Sequence, residues 1–394
     1  MATVAEVVAH VPDEVLLPAR VALLGTGTVG SAVLERLASW TGTPLGEHLS
    51  LVHVANSRSA YEPSPVGRGW HRSTQLKPGS ASIEDSTGRN GNAVLRTLTP
   101  TPLPAGEGLN IVIPLLGDHG SRIVIDATAS VDVAERHAGW LAQGIHVVTA
   151  CKLGQGTDLA KWRRIRAGCA RGNTEYGDAA TVGAGLPVLR SIRELQAGGD
   201  RIHAIAGVLS GSLAWLFNHF DGLGPFSGFV RDARAAGYTE PDPREDLSGE
   251  DVRRKLLILA RASGAELESH DIDVESLVPS VLATVPAHAV DAALSALDTP
   301  LRERYAAAYK RGEKLRFIAR LEQTGPGRVR ARIGLESLAA DHPLAGGAGT
   351  DNRVAIWSDR YCAQPLVIQG PGAGAEVTAA ALLDDVLRIA GRRC

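Results

Sequence analysis

Cysteine is scarce in this chain and nowhere clustered. The four residues Cys151, Cys169, Cys362 and Cys394 include no C-x-x-C pair, which excludes a zinc-ribbon pattern and a disulfide framework and fits reduced thiols in a cytosol. A dominant charge is missing too. Lys plus Arg number 41 against 43 Asp plus Glu, so no long-range field draws the protein to nucleic acid or an anionic membrane surface. No apolar run is long enough to cross a bilayer, and the opening MATVAEVVAHVPDEVLL lacks the basic patch and apolar core of a signal peptide. These absences predict a soluble, cytoplasmic protein with neither nucleic acid nor membrane as partner, whose ligands must be sought at local sites. At 394 residues the chain is long enough for two domains and a cleft between them.

The first informative stretch is RVALLGTGTVGSAVLERLASW, which reads as strand, glycine turn and helix. Gly25 permits a tight turn, Gly27 lets the backbone approach a pyrophosphate, and Gly30 lets the helix pack closely on the strand. With Thr26, Thr28 and Val29 between them, these residues form a candidate dinucleotide site at a helix N-terminus. A second apolar run, LSLVHVA, ends at Asn56, Ser57 and Arg58. An acid there would hold the ribose hydroxyls of NAD. None is present, and Arg58 is suited to a 2′-phosphate, so NADP(H) is favoured over NAD(H).

Strands continue to alternate with helices through RIVIDATAS, a helix around 131 to 143, the strand IHVVTA and a basic helix after Asp158. That rhythm predicts an α/β fold with a Rossmann-like, doubly wound parallel sheet over residues 18–175. Residues 59 to 110 are rich in Gly, Pro, Ser and Thr and read as irregular loop. A second, α+β domain is expected over 176–345, with KLRFIARLE and RVRARIGLE among its strands, and NRVAIWS and QPLVIQG read as further strands beyond it. The segment 346–394 ends in another glycine turn and helix, and is expected to return to the first domain.

GYTEPDPREDLSGEDVRRK, residues 237–255, gathers six carboxylates ahead of a lysine. Ser248 and Asp251 suggest a capping box that opens a helix at Ser248 and closes it near Gly264. At about 100° per residue, Lys255 shares the inner arc with Val252, Leu256 and Leu259, while Arg254 and Arg261 fall on the solvated side. Asp251 lies one turn before Lys255 and can pair with it. Two readings stand at this point. The segment is a capped helix with an i,i+4 ion pair, or Glu240, Asp242 and Asp246, on a loop stiffened by Pro241 and Pro243, grip a substrate ammonium while Lys255 serves its oxygen.

This segment resembles the substrate-binding signature of the homoserine dehydrogenase family. The resemblance continues, in family order, through RVALLGTGTVG, VIDATAS, GIHVVTACK, TVGAGLPVL, GVLSGSLAWLFN and GPGAGAEVTA. Its wording is nearest to the dehydrogenase half of bifunctional aspartokinase–homoserine dehydrogenases. It implies NAD(P)-dependent interconversion of L-aspartate 4-semialdehyde and L-homoserine, in threonine and methionine biosynthesis, by a homodimer built through the second domain. It also implies catalytic roles for Lys255 and Lys152, either of which is the immediate acid/base. Glu240, Asp246 and Asp251 would take the substrate, with Gly211 and Ser212 lining its pocket. Thr128, Lys152, Gly372 and Gly374 would stand on the cofactor side.

Two positions depart from the family pattern. Where the family glutamate helps hold a monovalent cation near Val182 and Ala184 there is Ala179, with Asp178 beside it. Where the VVTxNK block carries asparagine there is Cys151. These departures motivate two alternatives, a related reductase for another amino-acid semialdehyde and a catalytically weak dinucleotide-binding homologue. The resemblance starts near residue 20 and includes no kinase or regulatory domain, so feedback inhibition through such a domain is not expected.

Overall fold

The computed structural model describes residues 17–56, 60–63, 70–72, 112–325 and 327–391. The chain enters at β1 (Ala19–Leu24), whose side chains serve two cores: Val21 and Leu23 go to one layer, Ala22 and Leu24 to the other. Alternation with period two makes this possible, and burial on both faces is the condition of a parallel strand under helices. β2 (Leu49–Ala55) pairs parallel with β1. Beyond it, β3 (Ala60–Pro63) and β4 (Trp70–Arg72) continue the sheet antiparallel. On the other side of β1 lie β5 (Arg122–Asp126), β6 (His146–Thr149) and β7 (Tyr176–Gly177), all parallel.

The resulting order, β4-β3-β2-β1-β5-β6-β7, reverses its direction of growth between β1 and β5. Open α/β sheets bind ligands at the carboxyl ends of the strands flanking such a switch. Helices Val112–Leu116 and Val131–Ala142 cover one face and Thr28–Ser39 the other. The stretch 59 to 110, expected as loop, therefore contains β3 and β4. Strands of four and three residues are too short to show a period. The remainder of that loop, Arg58 and Ser57 lie outside the described residues.

A second sheet is built from β8 (Ile202–Val208), β9 (Ile272–Val274), β10 (Lys314–Gly325), β11 (Arg328–Leu338), β12 (Asp351–Ser358) and β13 (Leu366–Pro371), in the order β13-β12-β8-β10-β11-β9. Its pairs are antiparallel except β11 with β9. Ile205, Phe317, Leu321, Ile333, Val354 and Ile356 pack against the helices Val188–Ala197, Gly211–His219 and Glu250–Ala262 in one core. Burying each of these side chains contributes about 1.5–3 kcal/mol. After β13 the chain crosses back, and helix Ala375–Gly391 sets Leu382, Leu383 and Val386 in the same core as Leu23 and Val33. That return draws the Gly372–Gly374 turn across the mouth between the two sheets.

Candidate active site

The glycine turn after β1 separates glycines needed by the fold from one that faces outward. Gly25 has φ +97, and a Cβ there would lie 2.7 Å from the carbonyl oxygen of Ala127. A Cβ on Gly30 would run into the Gly25 carbonyl, so the helix can approach the turn only without a side chain. Gly27 differs: a Cβ there meets nothing within 4 Å. Gly27 is also the N-cap of helix Thr28–Ser39 and supplies no side-chain cap. The helix thus presents first-turn N–H groups and the positive end of its dipole to an open, side-chain-free surface, which fits a dinucleotide pyrophosphate. Asn56 Nδ2 donates to Thr26 Oγ1 at 2.7 Å, tying the end of β2 to the turn.

Opposite the turn, the acidic segment folds into two helices rather than one. Pro243–Leu247 is capped by Asp242, which accepts from the Arg244 N–H at 3.0 Å and pairs with the Arg244 guanidinium. Asp242 is thereby a structural cap rather than part of a substrate grip. The lysine helix begins at Glu250, not Ser248. Its N-cap is Gly249, at φ +79, and the Ser248–Asp251 capping box does not form. Ser248 instead ends the preceding helix, its hydroxyl donating to Glu245 O at 2.7 Å. Gly264, φ +91, does follow the helix end as expected. Arg254 is exposed, but Arg261 is buried, donating to Thr157 O and Leu267 O at 2.8 Å each. One receiving carbonyl, Thr157, comes from the other lobe and the second, Leu267, from the turn after the helix, and helical periodicity carries no sign of either.

Lys255 points inward as its helical position requires, its side chain 11% exposed. Its Nζ donates to Leu209 O at 2.7 Å and lies 2.8 Å from Asp251 Oδ2. Two of the three ammonium donors are thus taken and one remains for the cleft. The other Asp251 oxygen is 3.4 Å from Lys152 Nζ, near the start of the loop after β6. One carboxylate therefore joins two ammonium groups across the gap between the lobes. Burial lowers the Lys255 pKa below its ordinary value, against the pull of Asp251 and with help from the Lys152 charge. Burial alone would raise the Asp251 carboxyl, but Lys255 and Lys152 bring it down to about 2.

These groups line one cleft of about 940 Å³ between the lobes. Thr28, Val29, Thr128 and Lys152 face it from the first lobe, Glu240, Asp246, Asp251 and Lys255 from the second, and Gly372 and Gly374 from the returning chain. Asp246 is held from two sides, accepting from Ser212 Oγ at 2.7 Å and from the Glu240 N–H at 2.8 Å. Ser212 is itself buried, and the cleft wall at that point is Ser210, the N-cap of helix Gly211–His219, 2.8 Å from Ser212 Oγ. Gly211 opens that helix behind Ser210. The sequence pointed to Gly211 and Ser212 and missed Ser210, although a serine before a helical run is an ordinary capping signal.

Cys151 is buried with its thiol pushed up to about 11 by desolvation, so Ala150 and Lys152 face the cleft while the thiol stays neutral beneath. The expected cation site fares differently. Ala179 brings no carboxylate, and its N–H donates to Asp385 at 3.0 Å. Asp178, 1% exposed, accepts two hydrogen bonds of 2.6 Å from Arg193 and a third from Gln155. Val182 and Ala184 are buried in the same turn, Ala184 at φ +50. A carboxylate already neutralised by a guanidinium does not fit a further cation at this turn, and no step below uses one.

Residues 187–387 match the family model described as homoserine dehydrogenase, and 25–176 match that of the homoserine dehydrogenase NAD binding domain. A chloroplastic bifunctional aspartokinase/homoserine dehydrogenase 2 of Zea mays is 36% identical over 94% of this chain, which spans 38% of that relative's length. The homoserine dehydrogenase of Emericella nidulans is 33% identical, over 95% of this chain and 99% of the relative. Among solved structures, a Candida auris protein of unknown function aligns with TM-score 0.80 at 30% identity, covering 95% of this chain and 98% of that one. A hyperthermophilic archaeal homoserine dehydrogenase in complex with NADPH aligns with TM-score 0.65 at 18% identity, over 94% and 97%. A full-length relative at this identity, two family models that between them take in both lobes, and the same two-sheet fold lead to one conclusion: the chain belongs to the homoserine dehydrogenase family.

Proposed function

We propose that this protein is a homoserine dehydrogenase that interconverts L-aspartate 4-semialdehyde and L-homoserine with NADP(H). The observation that carries the reading is the Asp251 carboxylate held between Lys255 and Lys152 in the cleft opposite the glycine turn. When bound, the dihydronicotinamide supplies the hydride. The chain supplies the rest. Glu240 and Asp246 bind the substrate ammonium by charge-assisted contacts, and the hydrogen bonds from Ser212 and the Glu240 N–H fix where the Asp246 charge stands. Asp246 keeps lone pairs for the ligand because each of its oxygens accepts one bond.

Lys255 carries the proton. Its free N–H serves the carbonyl oxygen, protonating it as the aldehyde carbon becomes the alcohol, and the neutral amine takes that proton back in the oxidative direction. A lysine with lowered pKa exchanges protons nearer neutral pH than an exposed one. Lys152 adds fixed positive charge beside the developing oxyanion, and Asp251 keeps the two like charges apart and aligned.

NADP(H) is the favoured cofactor because the end of β2 offers Asn56 and no acid to a ribose diol, and the archaeal neighbour of the same fold was solved with NADPH. Neither departure from the family pattern reaches the cleft wall: Cys151 is buried beneath it and Ala179 lines a separate cavity. A shift to another semialdehyde therefore loses its motive. No helix among the described residues is long and apolar enough to cross a membrane. The reading places the enzyme in the cytoplasm, in threonine and methionine biosynthesis, as a homodimer through the second sheet.

Homoserine oxidation followed by nicotinamide absorbance, with NADP+ and NAD+ in parallel, tests the reading. Turnover with NADP+ as the better cofactor is expected. Tight NADPH binding without turnover of homoserine or the semialdehyde would overturn it.

A further inference from the structure

Asp126 ends β5 fully buried, and the chemistry above makes no use of it. A carboxylate out of water is costly unless its lone pairs are filled, and here each oxygen has separate partners. Oδ1 accepts from the Thr128 N–H at 2.9 Å and from its hydroxyl at 2.6 Å. Oδ2 accepts from Thr149 Oγ1 at 3.0 Å and lies 3.1 Å from His137 Nε2. Thr149 Oγ1 in turn accepts the Cys151 N–H at 2.8 Å. Behind Asp126, the fully buried His137 meets the Tyr176 hydroxyl through Nδ1 at 2.9 Å. That hydroxyl occupies the place a side chain on Gly154 would need.

The backbone on both sides of Lys152, at Cys151 and at Gly154, thus rests on one buried polar cluster. A lysine side chain is long and rotatable, so the position of its ammonium depends on how firmly its backbone is seated. Here that position decides the 3.4 Å approach of Lys152 to Asp251 on the other lobe.

We infer that Asp126 and Thr149, backed by His137 and Tyr176, are positioning residues that hold Lys152 in register with Asp251. The inference rests on the proposed reaction, in which Lys152 stands beside the reacting oxygen. A displacement of about 1 Å there costs on the order of 100-fold in rate.

Thr149→Val removes the linking hydroxyl at nearly constant volume, and Thr149→Ser keeps it. In homoserine oxidation, Thr149→Val lowers kcat by about 10- to 100-fold, with KM for homoserine and Kd for NADPH within about threefold of wild type. Thr149→Ser stays within about threefold of wild type in all three. Placed on Lys152→Ala, Thr149→Val causes no further loss, because the group it positions is gone. An unchanged kcat in Thr149→Val, or the same loss with and without Lys152, overturns the inference. Should Thr149→Val fail to fold, Tyr176→Phe, at the far end of the cluster, must show the same kcat-only signature. A second readout needs no turnover: in reductively 13C-methylated protein, the Lys152 resonance, assigned through Lys152→Arg, moves in Thr149→Val and not in Thr149→Ser. A resonance unmoved in both sinks the inference, whereas a wild type that fails to oxidise homoserine while that resonance moves sinks the proposed reaction and leaves the positioning intact.

Discussion

Lys255 and Asp251 stand one helical turn apart with 2.8 Å between Nζ and Oδ2, inside a cleft rather than on a solvated helix face. Exposed i,i+4 pairs contribute a few tenths of a kcal/mol to stability. This one shares its carboxylate with Lys152, and its lysine also donates to the Leu209 carbonyl. In the proposed reaction its consequence is catalytic. Lys255→Ala is expected to reduce kcat by about 100-fold or more, with NADPH affinity, read by nucleotide fluorescence, within a factor of about two.

The direction of the Lys255 shift gives the pH profiles opposite signs in the two directions of reaction. Burial lowers its pKa below the ordinary lysine value, and in the proposed reaction reduction of the semialdehyde needs the protonated form. kcat for reduction therefore falls as pH rises through that lowered pKa. kcat for homoserine oxidation needs the neutral amine and rises over the same interval. Both limbs vanish in Lys255→Ala, as stopped-flow measurement of the chemical step across pH would show.

Acid stability follows from Asp251. Its folded pKa, about 2, is depressed below the unfolded value. The stability it contributes is full above about pH 4 and is lost as pH falls toward 2. With the side chain 46% exposed, screening holds this to about 1 kcal/mol. Urea unfolding at pH 7 and pH 3 should show a smaller loss of midpoint in Asp251→Asn than in wild type.

Gly27→Ala and Gly30→Ala should fail for different reasons. Gly27 has φ −71 and open space around it, so alanine leaves the thermal midpoint nearly unchanged and weakens NADPH binding by about tenfold or more. Gly30→Ala presses on the Gly25 carbonyl and lowers stability by about 1–3 kcal/mol, visible in the melt without ligand. Equal NADPH affinity in Gly27→Ala and wild type would remove the turn from the cofactor site.

Arg193, doubly bonded to Asp178, supplies the positive charge at the turn where the family resemblance implied a cation. Turnover is expected to be the same in potassium, sodium and choline chloride at equal ionic strength. A several-fold drop in choline would show that a cation binds after all.

Much of the fold was legible because it is written in local periods. Apolar runs gave the longer strands of both sheets but not the short β3, β4, β7 and β9, and rotation about the helix axis placed Lys255 on the inner arc. The same method failed where the partner came from elsewhere in the chain. Arg261 lies on the arc that reads as solvated, yet backbone carbonyls at Thr157 and Leu267 receive it. Asp242 reads as one more acid in a cluster, and only the backbone after it shows it to be a cap. Ser248 formed a plausible box with Asp251, but Gly249 at positive φ breaks the chain between two helices before that box can close.

By itself, then, the sequence determined most of the longer elements, the glycine turn and the inward lysine, since each depends on residues a few positions apart and on the geometry of one helix or strand. Only the tertiary structure decided that Asp251 bridges Lys255 to Lys152, that Arg193 neutralises Asp178, and that Asp126 underlies the loop carrying Lys152. Those contacts form only once strands and helices are packed together, and the Asp251–Lys152 pair only when two cores fix the lobes against each other, a constraint no local pattern records.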